Sequence, residues 1–293
     1  MNTCLEYSNL ENIAAVDAKN ASFGNTGKPM TLVRAESLNI TFHSTRVFSL
    51  FGSRKVNALK NVSFNIRYGE SLGIVGESGS GKSTLINAIA KLVPVESGMI
   101  FINEENVTHM SWQSFKPYRK LIQIVFQDFC NTLNPHMTVG EILLEPLDIR
   151  FKHAPKSWKI SKAKSLLDIV LLSTSLISRY PDQLSGGQRQ RVSIARTLAM
   201  EPKLLICDEI VSALDVSVQA QILHLLKALN KEKGIAILFI SHDIAVTEYL
   251  CDNMMVMKDG RILEYGPSKM ICTCPQHPYT EELISSVPSI HVG

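Results

Sequence analysis

Gly76-Glu77-Ser78-Gly79-Ser80-Gly81-Lys82-Ser83-Thr84 is the stretch from which the rest of the chain can be read. It fits G-x-x-x-x-G-K-[ST], the phosphate-binding P-loop pattern. The flanks agree with it. Ser71-Leu72-Gly73-Ile74-Val75 reads as a short buried strand, and the residues from Ser83 onward read as a helix with Leu85, Ile89 and Leu92 on one face and Pro94 ending it. Glycines let backbone N–H groups turn inward around phosphate oxygens, and a helix N-terminus adds partial positive charge. Gly76, Ser78, Gly79 and Gly81 make the loop, and Thr84 falls in the first helical turn. Lys82 is placed to reach the β- and γ-phosphates, and the Ser83 hydroxyl to ligate Mg²⁺. A Gly/Ser-rich loop matching by chance would not come with a strand before it and a helix after it.

The chain has 293 residues, 45% of them hydrophobic, enough for one large or two smaller cores. A net charge of +3 argues neither for nor against nucleic acid. No apolar run approaches the ~18 residues needed to span a bilayer. Residues 1–20 lack the charged start and apolar core of a signal peptide. The six cysteines (Cys4, Cys130, Cys207, Cys251, Cys272 and Cys274) are too scattered for a disulfide scaffold and suit a reducing compartment. Cys272 and Cys274 form the one cluster, and a metal or iron–sulfur site there would need further ligands, so incidental thiols are the simpler reading.

Residues 1–31 are polar and aperiodic and read as a flexible leader. A strand is expected over Leu32–Phe42, a turn at Gly52–Lys55, and a half-buried strand where Val62, Phe64 and Ile66 alternate with polar residues. Tyr68-Gly69 turns the chain into the P-loop strand. Met99–Ile102 and Leu121–Phe126 read as further strands, the second ending at Gln127-Asp128. From Asn131 to about Thr174 the pattern is helical, with Val139, Ile142 and Leu143 on one face and Ile160, Ala163, Leu167, Val170 and Leu171 on another. The basic run Arg150–Lys159 reads as a solvated loop. Strand and helix then alternate. Leu204–Glu209 is a buried strand ending in two acids, and a helix follows with Val218, Ile222, Leu225 and Leu229 on one face and His224 at the surface. Ile235–Ile240 is the next strand, and Met254–Leu263 is a hairpin turning at Asp259-Gly260. This order predicts an α/β fold with a parallel core sheet, fed by an early antiparallel layer. There is one P-loop and no internal repeat.

Two further stretches carry chemistry. Asp208 and Glu209, at the end of a buried strand, suit holding Mg²⁺ and orienting or deprotonating an attacking water, respectively. Without a P-loop they would be two acids at a solvated strand end; phosphoryl transfer needs such partners. Leu184-Ser185-Gly186-Gly187-Gln188-Arg189 precedes a helical pattern and puts a hydroxyl and glycine N–H groups at a helix start. Taken alone, Ser185 is a helix cap. Two anion-binding ends far apart in sequence suggest a nucleotide sandwiched between two surfaces.

With these residues on the page, the chain resembles the ATP-binding cassette (ABC) ATPases. Leu-Ser-Gly-Gly-Gln at 184–188 looks like their signature sequence, Gln127 like their Q-loop glutamine, Ser212-Ala213-Leu214-Asp215 like their D-loop, and His242 in Ile240-Ser241-His242-Asp243 like their switch histidine. Order and spacing agree over roughly residues 32–265. Phe42 falls where the family often has a Tyr that stacks on adenine, with Phe48 and Phe51 as nearby alternatives. Ile210 departs from the Pro or small residue common after the two acids, which themselves remain.

The resemblance implies a P-loop NTPase core with a parallel sheet, an antiparallel β layer and an inserted α-helical subdomain at about 108–195. It implies ATP and Mg²⁺ as ligands, with Ser83, Gln127 and Asp208 toward the metal. It also implies head-to-tail pairing with a second cassette, identical or homologous, in which Ser185, Gly186, Gly187 and Asp215 face the partner's nucleotide. Glu209, His242 and Gln127 would act in hydrolysis. Val125-Phe126-Gln127-Asp128, Leu133-Asn134-Pro135, Met137-Thr138-Val139-Gly140 and Val211–Gln221 look like the oligopeptide/dipeptide/nickel importer ATPases, and His277-Pro278-Tyr279-Thr280 looks like their C-terminal extension, here 266–293. Asp128-Phe129 replaces the usual Asp-Pro. Such a subunit would lie peripherally on the cytoplasmic face of the inner membrane, held by two permease subunits, served indirectly by an extracytoplasmic solute-binding protein, and without nucleic acid as a partner. Half of a fused two-cassette importer for nickel or a glutathione-like peptide is the alternative. A non-transport ABC ATPase would carry long coiled coils, and no sustained heptads are present.

Overall fold

A computed structural model describes residues 31–44, 54–126, 132–212 and 214–286. The leader expected over 1–31 lies outside these residues but for Thr31, as do Phe48, Phe51, the D-loop's Ala213 and Gln127.

Two sheets make the core. In the first, β1 (Thr31–Ser44), β2 (Arg54–Arg67), β4 (Ser97–Ile102) and β5 (Glu105–Asn106) pair antiparallel in the order β2-β1-β4-β5. The second has six strands in the order β10-β9-β3-β8-β7-β6. They are β3 (Ser71–Val75), β6 (Ile122–Val125), β7 (Leu204–Asp208), β8 (Ala236–Ser241), β9 (Asn253–Lys258) and β10 (Arg261–Pro267). All neighbours there run parallel except β10, which returns antiparallel along β9. Strands of a parallel sheet covered on both faces are apolar throughout. Here Leu204, Ile206, Leu238 and Ile240 pack with the antiparallel sheet, while Leu205, Cys207, Ile237 and Phe239 face the helices on the other side.

The helices are α1 (Lys82–Ile89), α2 (Trp112–Leu121), α3 (Val139–Arg150), α4 (Lys156–Ile169), α5 (Gly186–Leu198), α6 (Val216–Lys233), α7 (Ile244–Leu250), α8 (Ser268–Thr273) and α9 (Pro278–Ser285). Their ends follow local chemistry. Thr138 and Glu141 form a capping box on α3, and Gly234, in the left-handed region at φ 64°, closes α6 behind Lys231 and Lys233. Asp259 (φ 49°) and Gly260 (φ 77°) make the expected tight turn between β9 and β10.

Several expectations need correction. Helix α1 stops at Ile89, well before Pro94, because Lys91 turns left-handed at φ 58°, and Leu92 is exposed rather than on a buried face. Leu121 ends a helix instead of starting a strand: α2, capped by Ser111, sets Phe115, Tyr118 and Leu121 on one face, and Pro117 within it obscures that period in the sequence. Arg54 and Lys55 belong to β2, not to a turn. The basic run Arg150–Lys159 is a loop at 151–155, with Lys152 and His153 exposed as expected, but Arg150 ends α3 and Lys156–Lys159 open α4, where Lys159 is buried with its Nζ 2.6 Å from Asp148 Oδ1. Leu171 is exposed at φ 57°, and Leu166 takes the core position instead. The span 108–195 includes β6, which belongs to the parallel sheet. Cys207, Cys251 and Cys272 are free thiols, whereas Cys274 is disulfide-bonded.

Candidate functional site

The P-loop leaves the buried end of β3 and enters α1. Gly76 is required there: at φ 151°, a Cβ would come within 2.2 Å of the Met257 carbonyl oxygen on β9. Gly81, at φ 107°, caps α1 with no side-chain hydrogen bond, and no acid occupies the first turn. The opening N–H groups of this helix are therefore left for a ligand with negative oxygens. Ser83 is exposed on that turn and Thr84 half-buried, whereas Ser78 and Gly79 are exposed on the loop. The β9–β10 turn braces the loop from below, where Gly260 N–H donates to Ser80 O at 2.9 Å.

Lys82 is 5% exposed, and its Nζ donates to Gly76 O at 2.6 Å and to Glu77 O at 2.8 Å. The ammonium is thus folded back over the cradle that phosphate oxygens would fill. Burial pulls its pKa down, and the carboxylates of Glu209, Asp208 and Glu77 partly restore it.

Asp208 ends β7 and Glu209 follows it; β7 is parallel to β8, next to β3. Asp208 is half-buried; burial raises its pKa, the Glu209 charge raises it further, and Lys82 offsets this in part. Oxygen donors on the Asp208 carboxylate and the Ser83 hydroxyl are the donor set a hard divalent cation takes. Glu209 leaves the strand at φ 48°, with its N–H donating to Ile240 O at 3.1 Å and its carbonyl accepting from Ser212 Oγ at 2.9 Å. This turn out of the sheet brings Glu209 Oε2 within 3.7 Å of His242 Nδ1, at the end of β8. Asp243 caps α7 through Ala245 and Val246 N–H, which fixes the His242 loop. Lys82, Asp208, Glu209 and His242, far apart in sequence, are therefore one cluster.

Ser185 starts α5. Its Oγ accepts from Gln188 N–H at 3.3 Å and its N–H donates to Gln188 Oε1 at 3.0 Å. Among the described residues its hydrogen bonds stay within this cap. Gly186 is exposed, and Gly187 lies against Val218 of α6, where a Cβ would meet Val218 Cγ1 at 2.5 Å. Asp215 is exposed at the start of α6 without a side-chain capping bond. Phe42, near the end of β1 opposite Val56, is 42% exposed, open for a ring to stack on it. One contact was not anticipated. The Tyr279 hydroxyl accepts the Glu77 N–H at 3.1 Å. No local pattern signals a bond across 202 positions.

The ABC transporter family profile matches residues 59–212. The oligopeptide transport ATP-binding protein OppF of Haemophilus influenzae is 44% identical over 259 residues, covering 88% of this chain and 78% of that protein. OppF of Streptococcus mutans is 43% identical over 88% of this chain and 82% of its own length. A putative peptide import ATP-binding protein of Brucella ovis is 44% identical over 81% of this chain and 74% of its length. Among solved structures, the dimeric post-hydrolysis state of the ATP-binding cassette MJ0796 bound to ADP and Pi superimposes with a TM-score of 0.72 at 32% identity, covering 81% of this chain and 99% of that one. CbiO1 of Clostridium perfringens gives 0.72 at 31% identity, covering 82% and 90%. With its P-loop, strand-end acids and signature helix in the family's order, this chain belongs to the ABC transporter family and is one of its ATPases.

Proposed function

We propose that this chain is the ATPase subunit that powers import of oligopeptides, dipeptides or a related solute. Lys82 neutralises the β- and γ-phosphates of ATP, and the N–H groups from Gly76 to Thr84 cradle them. Phe42 stacks on the adenine. Ser83, Asp208 and Gln127 would hold Mg²⁺, which would neutralise charge on the transferring phosphoryl group. Glu209 takes the proton of the attacking water, and His242 holds the γ-phosphate or that water. Ser185, Gly186, Gly187 and Asp215 act on the nucleotide of a second cassette. The observation that carries the nucleotide chemistry is the ammonium of Lys82 held on Gly76 O and Glu77 O with the Asp208 and Glu209 carboxylates beside it. Likeness to peptide-import subunits over most of the chain supports the solute class.

No helix among the described residues is long and apolar enough to cross a membrane. The cassette would act peripherally at the cytoplasmic face, on two permease subunits fed by a solute-binding protein. A groove of about 720 Å³, lined by Leu92, Phe115, Phe126, Pro146, Ile149 and Arg196, suits a permease segment. Apolar Leu92 and Ile149 are 53% and 60% exposed at it. Residues 128–140, which adjoin Phe126 in sequence, are the stretch proposed to meet the permease. Ile149→Cys is expected to crosslink to a cysteine-substituted permease loop, with a yield that changes when ATP is added. Absence of any crosslink to a membrane subunit, in a complex that still imports peptide, would remove this groove from the interface. Lys82→Ala is expected to weaken nucleotide binding at least ~10-fold in direct titration, since it deletes the charge facing the phosphates. Parental affinity would contradict the P-loop assignment.

A further inference from the structure

The C-terminal segment is tied to the nucleotide site rather than appended to it. Its His-Pro-Tyr-Thr stretch has a local logic. His277 Nδ1 accepts the Tyr279 N–H at 3.1 Å, capping α9, and Pro278 supplies the first helical position. Upstream, Gln276 N–H donates to Glu264 Oε1 of β10 at 2.6 Å, fixing where the helix begins. The helix so placed buries Tyr279, 3% exposed, in an apolar cluster with Val75, Ile244, Met254, Val256 and Ile271. Val75 immediately precedes the P-loop, and Ile244 follows His242 by two residues. Lys258 Nζ lies 4.0 Å from the centre of the tyrosine ring.

From this seat the Tyr279 hydroxyl accepts the Glu77 N–H at 3.1 Å. That N–H belongs to the Gly76–Glu77 peptide unit, whose carbonyl, Gly76 O, accepts Lys82 Nζ at 2.6 Å. The N–H and C=O of a trans peptide point in opposite directions. One rigid plane is therefore held at one end by the C-terminal helix and at the other by the phosphate-binding lysine. Gly76 leaves this plane free to rotate unless something fixes it. The Glu77 carboxylate also lies close to the same hydroxyl.

We propose that Tyr279 is a positioning residue of the nucleotide site: its hydroxyl sets the orientation of the Gly76–Glu77 peptide and so the resting place of Lys82. The C-terminal extension thereby becomes part of the ATP site, and a displacement of α9 would be felt at the P-loop. The inference rests on the P-loop at 76–84 holding the phosphates, as argued above.

The test uses the full chain, titrated with Mg-ADP. Tyr279→Phe keeps the ring and its packing and removes only the hydroxyl, so the melting temperature is expected to stay near the parent's. The Mg-ADP dissociation constant is expected to rise about three- to tenfold, the range of one lost hydrogen bond. Amide exchange at Glu77 is expected to accelerate, with KM for ATP raised and kcat nearly unchanged. Tyr279→Leu, which also removes the ring, is the comparison for a packing effect. Parental affinity, unchanged Glu77 exchange, or an affinity loss matched by a melting-temperature drop as large as that of Tyr279→Leu would each overturn the proposal. Lys82→Ala separates the two ideas. If it loses Mg-ADP while Tyr279→Phe does not, the tyrosine's role falls alone; if it binds like the parent, the P-loop reading falls and this inference with it.

Discussion

Glu209→Gln is expected to abolish ATP hydrolysis, by about 10²- to 10⁴-fold, the usual worth of a positioned general base, while nucleotide still binds. The amide keeps the size and hydrogen-bonding reach of the carboxylate but cannot take a proton from water. The geometry favours a sharp separation of the two effects. Glu209 leaves β7 in the left-handed region, and its backbone is fixed by Ile240 O on one side and the Ser212 hydroxyl on the other. The substitution should therefore leave the backbone in place. It also removes one carboxylate beside Lys82 and Asp208, which lowers the repulsion an incoming triphosphate meets. ATP affinity is expected to hold or rise, and ATP to trap a closed pair of cassettes detectable by gel filtration. Single-turnover measurements on the purified variant decide the matter: hydrolysis at the parental rate would take Glu209 out of its assigned part.

The sequence singles out Glu209, and the structure sets it beside Lys82, Asp208 and His242. Leu204–Asp208 is apolar until its last residue, and an acid pair closing a buried strand has few explanations once a P-loop is present. The flanks of Gly76–Thr84 were equally legible, because strand, glycine loop and helix each carry their own period or turn chemistry. The reading failed where the decisive force was not local. Helix α1 ends at Ile89 and not at Pro94, since the chain turns left-handed at Lys91, a residue type that announces no break. Helix α2 carries Trp112, Phe115, Tyr118 and Leu121 on one face, but only Phe115 is fully buried and Pro117 interrupts the pattern, so the sequence there does not read as a helix. Lys159 looked solvated until the turn between α3 and α4 set it against Asp148. The order of the parallel sheet, with β3 between β8 and β9, depends on crossovers that no window of sequence contains. The Tyr279–Glu77 bond is of this kind too. Gln127, assigned from its place after β6, lies outside the described residues, and its part remains an expectation.

Ser185→Arg carries the other large expected effect, and it falls on a neighbour. Within the chain, the Ser185 hydroxyl and N–H bond to Gln188 and its carbonyl accepts the Arg189 N–H, all at the start of α5, while Lys82, Asp208, Glu209 and His242 cluster without it. A hydroxyl and glycine N–H groups at the start of α5 make an anion-binding end that the chain's own P-loop does not use. On the proposed pairing, a second cassette would supply the missing phosphate. Purified alone, the chain is then expected to be largely monomeric and a slow ATPase, with a rate per mole that rises with protein concentration, because bridging ATP adds contacts only in the closed pair. The arginine fills the space where the partner's γ-phosphate would lie. It also removes a helix cap, at a cost of about 1 kcal/mol, for which Ser185→Ala is the control. ATP binding to the variant's own P-loop should match the parent, whereas the concentration-dependent rate should vanish. Mixing supplies a positive signal. Neither Ser185→Arg nor Lys82→Ala can form an intact site by self-pairing, but a mixed pair joins the intact P-loop of the first to the intact signature of the second. Partial recovery of ATPase activity on mixing is the expected result. A rate that stays flat per mole down to nanomolar protein and survives Ser185→Arg would mean that hydrolysis uses no shared site.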